Sequence, residues 1–358
     1  MIPSPLILQA FRQPNVLTSL SLAEWDLLLR QARRSNLLSS IRALLEERGL
    51  IDQVPPQPRE HLEWSRALSE RHAQAVKREV TLIRKALENV GAPVILLKGA
   101  AYVMANLPFA QGRTFSDIDI MVPKGSLNAV EAALMLHGWA TLDIDAYDQR
   151  YYRAWMHELP PMTHMKRSTV IDVHHAILPE TAHVHPDPEK LRAAAQLLDG
   201  YDDLKVFAPV DMVLHSAAHL FHEGELHNGL RDLVDIDSLL RHFSNRPSFW
   251  LELVERAKEL ELSRPLFYAL RYTAQMLHTT IPSDAVETAR IGSPNRLTLT
   301  LMDALFARAL MPDHSSCSDW LTGTARWMLY VRANWLRMPP LMLARHLFHK
   351  AFISPKPE

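Results

Sequence analysis

Ser116-Asp117-Ile118-Asp119-Ile120-Met121-Val122 alternates polar and apolar side chains through its first half. A β-strand sends successive side chains to opposite faces, so this period puts Asp117 and Asp119 together on one face and turns Ile118 and Ile120 toward a core. Two carboxylates so placed repel each other. Without a cation one member tends to keep a proton, whereas Mg2+ or Mn2+, hard ions that prefer oxygen ligands, make the pair favourable. A third carboxylate stands in a similar frame. In Ser168-Thr169-Val170-Ile171-Asp172-Val173-His174, Asp172 is flanked by apolar residues on a second expected strand. Three converging carboxylates suit a two-metal site, where cations roughly 3.5 to 4 Å apart stabilise the attacking and departing oxygens of an in-line phosphoryl displacement. Alternation also aims His174 toward the face of Asp172, where it can contact substrate or a metal-bound carboxylate from behind.

Upstream, Val94-Ile95-Leu96-Leu97 is too short for a helix and rich enough in branched residues for a buried strand, closed by Lys98-Gly99. A short helix over 100–105 follows, then a loop through Pro108 and Gly112. Lys98 and Arg113 supply cations near the carboxylates, and Gly99 allows a phosphate to approach the backbone, with the amides of the next helix favouring an anion. Downstream, residues 126–137 read as a helix stopped at Gly138, and 139–142, 151–157 and 168–174 read as strands.

The flanks are helical. Residues 21–50 carry apolar side chains at three- and four-residue spacing, broken near Ser35 or Asn36. Val54-Pro55-Pro56-Gln57-Pro58 reads as a connector, because proline lacks an amide donor, and a second helical run over 59–90 ends at Gly91, a left-handed cap. From about residue 188 the helical period returns, over 191–198, 210–222, 226–243, 249–261 and 265–278. The expected architecture is α+β: a helical region over 1–90, a core with a small mixed sheet over 91–180, and a mostly helical domain over 181–358.

With 358 residues, nearly half of them apolar, a sizeable core poses no difficulty. The balance of 39 basic against 40 acidic residues leaves no global field to gather nucleic acid or an anionic surface. A single cysteine, Cys317, excludes an internal disulfide and fits a reducing compartment. The amino terminus lacks the features of a secretory signal, and no run of roughly eighteen apolar residues marks a membrane span, so a cytoplasmic protein is expected.

Leu96-Leu97-Lys98-Gly99-Ala100-Ala101, then Arg113 with Asp117-Ile118-Asp119-Ile120-Met121-Val122, then Ile171-Asp172-Val173-His174, resemble in order and spacing the uncharacterised nucleotidyltransferase family of the polymerase-β-like superfamily. The likeness extends to the amino-terminal helices and to the runs over 211–219 and 230–235. It implies transfer of a nucleoside monophosphate from a nucleoside triphosphate to an acceptor hydroxyl, with pyrophosphate leaving. By it, Asp117 and Asp119 ligate both metal ions, and Asp172 ligates the catalytic one. Lys98, Gly99, Arg113 and Ser116 meet the nucleotide phosphates, with His174 behind the ligands. The superfamily usually places Gly-Ser in its phosphate loop; here Lys98-Gly99 stands there, so a lysine replaces the serine contact.

Other readings stay open on sequence alone. The chain can be a non-catalytic member that keeps the fold and holds a partner. Asp211, His215, His219 and His222 share one helical face and, with Arg231, Asp232 and Asp235 opposite, suggest a metal-dependent phosphohydrolase, although a packed histidine face is the simpler account. The stretch 320–357 holds Arg326, Arg332, Arg337, Arg345, Lys350 and Lys356 without an acidic residue, interleaved with Trp320, Trp327 and Trp335. Such a stretch suits an anionic partner; the simpler expectation is tryptophans in the core and arginines in water.

Overall fold

Short apolar and alternating segments build one sheet. Its strands are β1 (Val94–Leu96), β2 (Asp117–Met121), β3 (Trp139–Thr141), β4 (Met162–His164), β5 (Val170–His174), β6 (Gln196–Leu197) and β7 (Leu204–Val206). The computed structural model describes residues 5–114, 117–141, 152–153, 155–222, 224, 226–340 and 343–344. The seven strands lie in the order β3-β4-β5-β2-β1-β7-β6. Central β2 runs antiparallel to β1 and parallel to β5, with Asp119 opposite Asp172, and β1 runs parallel to β7. The sheet is mixed and the fold α+β, as the sequence leads one to expect. All three residues of β1 are buried, as a strand covered on both faces requires.

Three strands escape the sequence patterns. β6 is a two-residue edge strand with both side chains exposed, and β7 is only three residues long, too short for a period to register. The helical run expected over 191–198 is therefore a helix, Pro188–Ala194, followed by β6. The sheet thus takes its last two strands from the segment grouped by sequence with the carboxy-terminal helices. β4 lies outside the expected strands, and β4 and β5 close through Ser168 at φ +55°. Where a strand was expected over 151–157, Tyr152, Arg153 and Trp155 are helical, and Glu158 makes an isolated antiparallel bridge to His174. Tyr151 and Ala154 lie outside the described residues, as does Ser116.

In the amino-terminal part, Ser21 and Glu24 form a capping box on the helix Leu22–Arg34, which breaks at Asn36 in the left-handed region before Leu38–Glu47. The prolines at 56 and 58 open a helix instead of merely connecting two: Pro56–Leu87 runs for 32 residues. First-turn amides have no partner within a helix, so prolines cost nothing there. This helix packs on Leu38–Glu47, Lys98–Met104 and Leu127–Leu136. Glu79 on it is buried, accepting from Arg167 Nε at 2.7 Å and from Thr169 Oγ1 at 3.1 Å, which ties the β4–β5 hairpin to the strut.

On the other side, the helices Pro209–His222, Gly229–Phe243, Phe249–Glu259 and Ser263–Leu277 pack against one another. One hydrophobic cluster runs from Ile7 through the sheet to Leu329. Trp320, Trp327 and Trp335 are not in it: they stand 86%, 64% and 50% exposed, against expectation. The helix Thr322–Arg337 packs on Arg296–Ala309, and the apolar residues it buries are Ala325, Leu329 and Ala333. Arg332 takes the inner position instead, its guanidinium 5.6 Å from the Tyr268 ring and donating to Phe221 O at 2.8 Å. Arg345, Lys350 and Lys356 lie outside the described residues. Among those residues, no helix is long and apolar enough to cross a membrane.

Gly112 lets the loop before β2 press on the helix Leu38–Glu47: an added Cβ would meet Ser39 O and Ser40 Cα at 2.8 Å, and Ser40 Oγ donates to Gly112 O at 2.9 Å. Backbone on both sides leaves no flexible atom to yield. Gly112→Ala is expected to cost about 1–3 kcal/mol in denaturant unfolding, while Gly125→Ala, with open space around it, leaves the midpoint in place. Equal midpoints for the two variants would refute this close approach.

Candidate active site

The register of β2 on β5 decides the site. Asp117 and Asp119 share one face of β2, Asp172 lies directly across from Asp119, and one oxygen from each of the three carboxylates falls within 4.8 Å of the others. Asp119 is buried and heavily paired. Lys98 Nζ sits 3.5 Å from its Oδ1, and His174 Nε2 donates to the same oxygen at 3.0 Å. Burial opposes the charge of Asp119, but the Lys98 ammonium and His174 outweigh it and hold the carboxyl well below the usual range. His174 is charged in turn: burial works against it, yet Glu158, 3.1 Å from Nδ1, and Asp119 raise the imidazole to about 9.

Asp172 has the opposite environment. Burial, then the charges of Asp119 and Glu158, push it up to about 8, and its Oδ1 is buried without a hydrogen-bond partner among the described residues. A carboxylate that converges with two others, and has a buried oxygen without a partner among the described residues, is an environment that a cation would satisfy. An all-oxygen donor set is the kind that hard cations prefer. Asp117, Asp119 and Asp172 therefore fit a divalent ion.

Lys98 reaches Asp119 from an unusual backbone. It opens the helix Lys98–Met104 at φ +43°, in the left-handed region that side chains other than glycine rarely enter. Lys98, Gly99, Asp117, Asp119 and Arg113 line a cavity of about 220 Å³. Its far wall is helical, with His219 from Pro209–His222 and Asn228, Arg231, Asp232 and Asp235 at or on Gly229–Phe243. Two contacts seal the walls together: Tyr102 and Ser216 share a hydrogen bond at 2.8 Å, and Arg113 Nε donates to Asp235 Oδ2 at 2.5 Å. Arg113 is fully buried, and Asp235 with Asp232 keeps its charge secure against desolvation. Burial raises Asp235, whereas Asp232, although equally buried, is lowered by Arg231, His219 and Arg113.

Sequence reasoning thus brought Lys98, Gly99, Arg113, Asp117 and Asp119 to one cavity, with Asp172 and His174 against its carboxylates. It missed Glu158, whose only signal is an acid among apolar neighbours in Trp155-Met156-His157-Glu158-Leu159. It named Asp232 and Asp235 only as partners for a histidine face. That face does not gather as a metal site. Asp211 is held by Arg256 at 2.8 and 3.0 Å, and His215, buried and lowered well below its usual value by burial and Lys98, packs edge-on against Phe207. Only His219 reaches the cavity, and among the described residues no group of metal-binding donors includes these histidines.

The mixed sheet thus carries three converging carboxylates that could hold a metal ion, beside a cavity that Lys98 lines. The sequence matches the family described as "Uncharacterised nucleotidyltransferase" over residues 21–278, and the chain belongs to that family. Comparison with curated proteins and with solved structures finds no match.

The raised Asp172 has a measurable consequence. Its folded-state value of about 8 exceeds the unfolded carboxyl value, so in metal-free protein its contribution to stability is complete below roughly pH 4 and lost as pH rises through about 8. Asp172→Asn abolishes that loss. In chelator, the variant is expected to melt roughly 2–5 °C above wild type at about pH 9 and to lose this advantage at about pH 5. A variant melting at or below wild type at the higher pH would refute the environment described.

Proposed function

We propose that this chain is a metal-dependent nucleotidyltransferase that moves a nucleoside monophosphate from a nucleoside triphosphate to an acceptor hydroxyl and releases pyrophosphate. The observation that carries this reading is the Asp172 carboxylate, which converges with Asp117 and Asp119 and has one buried oxygen without a partner among the described residues. The three carboxylates would hold Mg2+ or Mn2+, which when bound neutralises the triphosphate and polarises the reacting oxygens.

The chain's own groups do the positioning. Lys98 lines the cavity beside Asp119, and a phosphate entering there can take one of its donors in a charge-assisted bond. Gly99 next to it presents backbone without a side chain. Arg113 is already matched by Asp235 and Asp232, so it fixes the phosphate-side wall more than it adds charge. Ser116, adjacent to Asp117 in sequence, is assigned to the phosphates with them. His174 holds Asp119 ionised and oriented from behind. Asp172, once ionised, is placed to accept the acceptor's proton or to hold the ion that loosens it. The acceptor enters from the helical wall, where His219, Asn228 and Arg231 offer polar contacts.

Calorimetric titration with nucleoside triphosphates tests this. Wild type is expected to bind only when Mg2+ is present, and the Asp117→Asn/Asp119→Asn double variant not to bind, with its fold intact by circular dichroism. Lys98→Ala should weaken metal-dependent binding about 10- to 100-fold, the worth of a lost charge-assisted bond. Wild-type binding that ignores Mg2+, or survives in the double variant, contradicts the reading; so does wild type that binds no nucleotide.

A further inference from the structure

A second set of ligand-type side chains meets on the other side of His174. His157, Glu158 and His174 each bring one donor atom within 4.8 Å of the others. His174 Nδ1 lies 3.1 Å from Glu158 Oε2, and the two imidazole rings are 5.3 Å apart, tilted by 33°. The backbone fixes this meeting. Glu158 bridges His174 in antiparallel fashion, Leu159 N donates to Val173 O at 2.9 Å, and His175 N donates to His157 O at 2.8 Å.

We propose that His157, Glu158 and His174 form a transition-metal site, suited to Zn2+, separate from the Asp117, Asp119 and Asp172 site. Two imidazole nitrogens and one carboxylate oxygen are a borderline donor set that prefers Zn2+ and its neighbours to Mg2+, whereas the triad is all oxygen. The outer contacts are those of a metal ligand. His174 Nε2 donates to Asp119 Oδ1 at 3.0 Å, which fixes the ring and leaves Nδ1 to face the ion. Both histidines are 4% exposed, while the Glu158 side chain at 17% leaves water a way to a fourth position. An ion there would clamp the ring that orients Asp119, making it a positioning device for the triad. The assignment stands apart from the nucleotidyl-transfer reading, and its test needs no nucleotide.

Chelator-treated full-length protein is titrated with Co2+, whose visible absorption is intense when four-coordinate. Wild type is expected to develop that band at one equivalent, to lose it to added Zn2+, and to melt higher with Zn2+ present. His157→Ala and Glu158→Gln should each weaken Co2+ binding by about 10-fold or more, and Asp172→Asn should retain it. Should His157→Ala fail to fold, Glu158→Gln, nearly equal in volume, decides. A wild type without the band overturns the proposal. So does a band that survives Glu158→Gln, or one that vanishes in Asp172→Asn while persisting in His157→Ala.

Discussion

Parallel pairing of β2 with β5 sets Asp119 and Asp172 face to face, and both are drawn out of bulk water. Like charges in that position raise each other's pKa, and burial adds to the cost. The surroundings answer for only one of them. Lys98, Asp119, His174 and Glu158 alternate in sign along a connected row, with 3.5, 3.0 and 3.1 Å between successive charged groups. Asp172 stands beside the row with an oxygen that has no partner among the described residues, and without a cation it answers the repulsion by holding a proton. The centre is short by positive charge, and Lys98's left-handed backbone shows what the fold spends to bring one cation to it.

The facing wall is aligned by a second buried network. Arg113, on the loop leading to β2, reaches Asp235 and Asp232 on the helix Gly229–Phe243, and Arg231 shares Asp232. Buried ion pairs of this kind add little net stability but penalise misalignment heavily, because any slip leaves a charge unmatched in a dry place. Together with the Tyr102–Ser216 bond, they hold the cavity open at a set width between sheet and helices. Sheet and helices belong to one hydrophobic cluster, so the cleft has rigid walls on both sides.

What the sequence disclosed followed from period and from bond geometry. The alternation at 117–120 placed two carboxylates on one face, and the apolar frame of Asp172 supplied the third, because strand period is a property of the backbone and not of its neighbours. Gly138, at positive φ just past the C-cap His137, ended a helix as its chemistry dictates, whereas Gly91, also at positive φ, lies beyond a turn that follows the helix end at Leu87. The rest depended on partners distant in sequence. Nothing in Leu204-Lys205-Val206 says that it will lie beside β1, and Glu158 gains its meaning only from the backbone bridge to His174. The tryptophans of the last helix misled for a related reason. Apolar residues predict a buried face, but here Ala325, Leu329 and Ala333 form it and the indoles stand outside it.

The pairing of β1 with β7 joins Val94 to Leu204, more than a hundred residues apart. A chain synthesised from its amino terminus therefore carries β1 with one open edge, Lys98 just beyond it, until residue 206 has emerged. Such an edge invites foreign strands, and its wholly apolar sequence makes the invitation stronger. The long helix Pro56–Leu87 is made earlier and packs on Lys98–Met104, the helix that follows β1. β2 and β5 are both made before β7, so the three carboxylates can meet while that edge of β1 is still open.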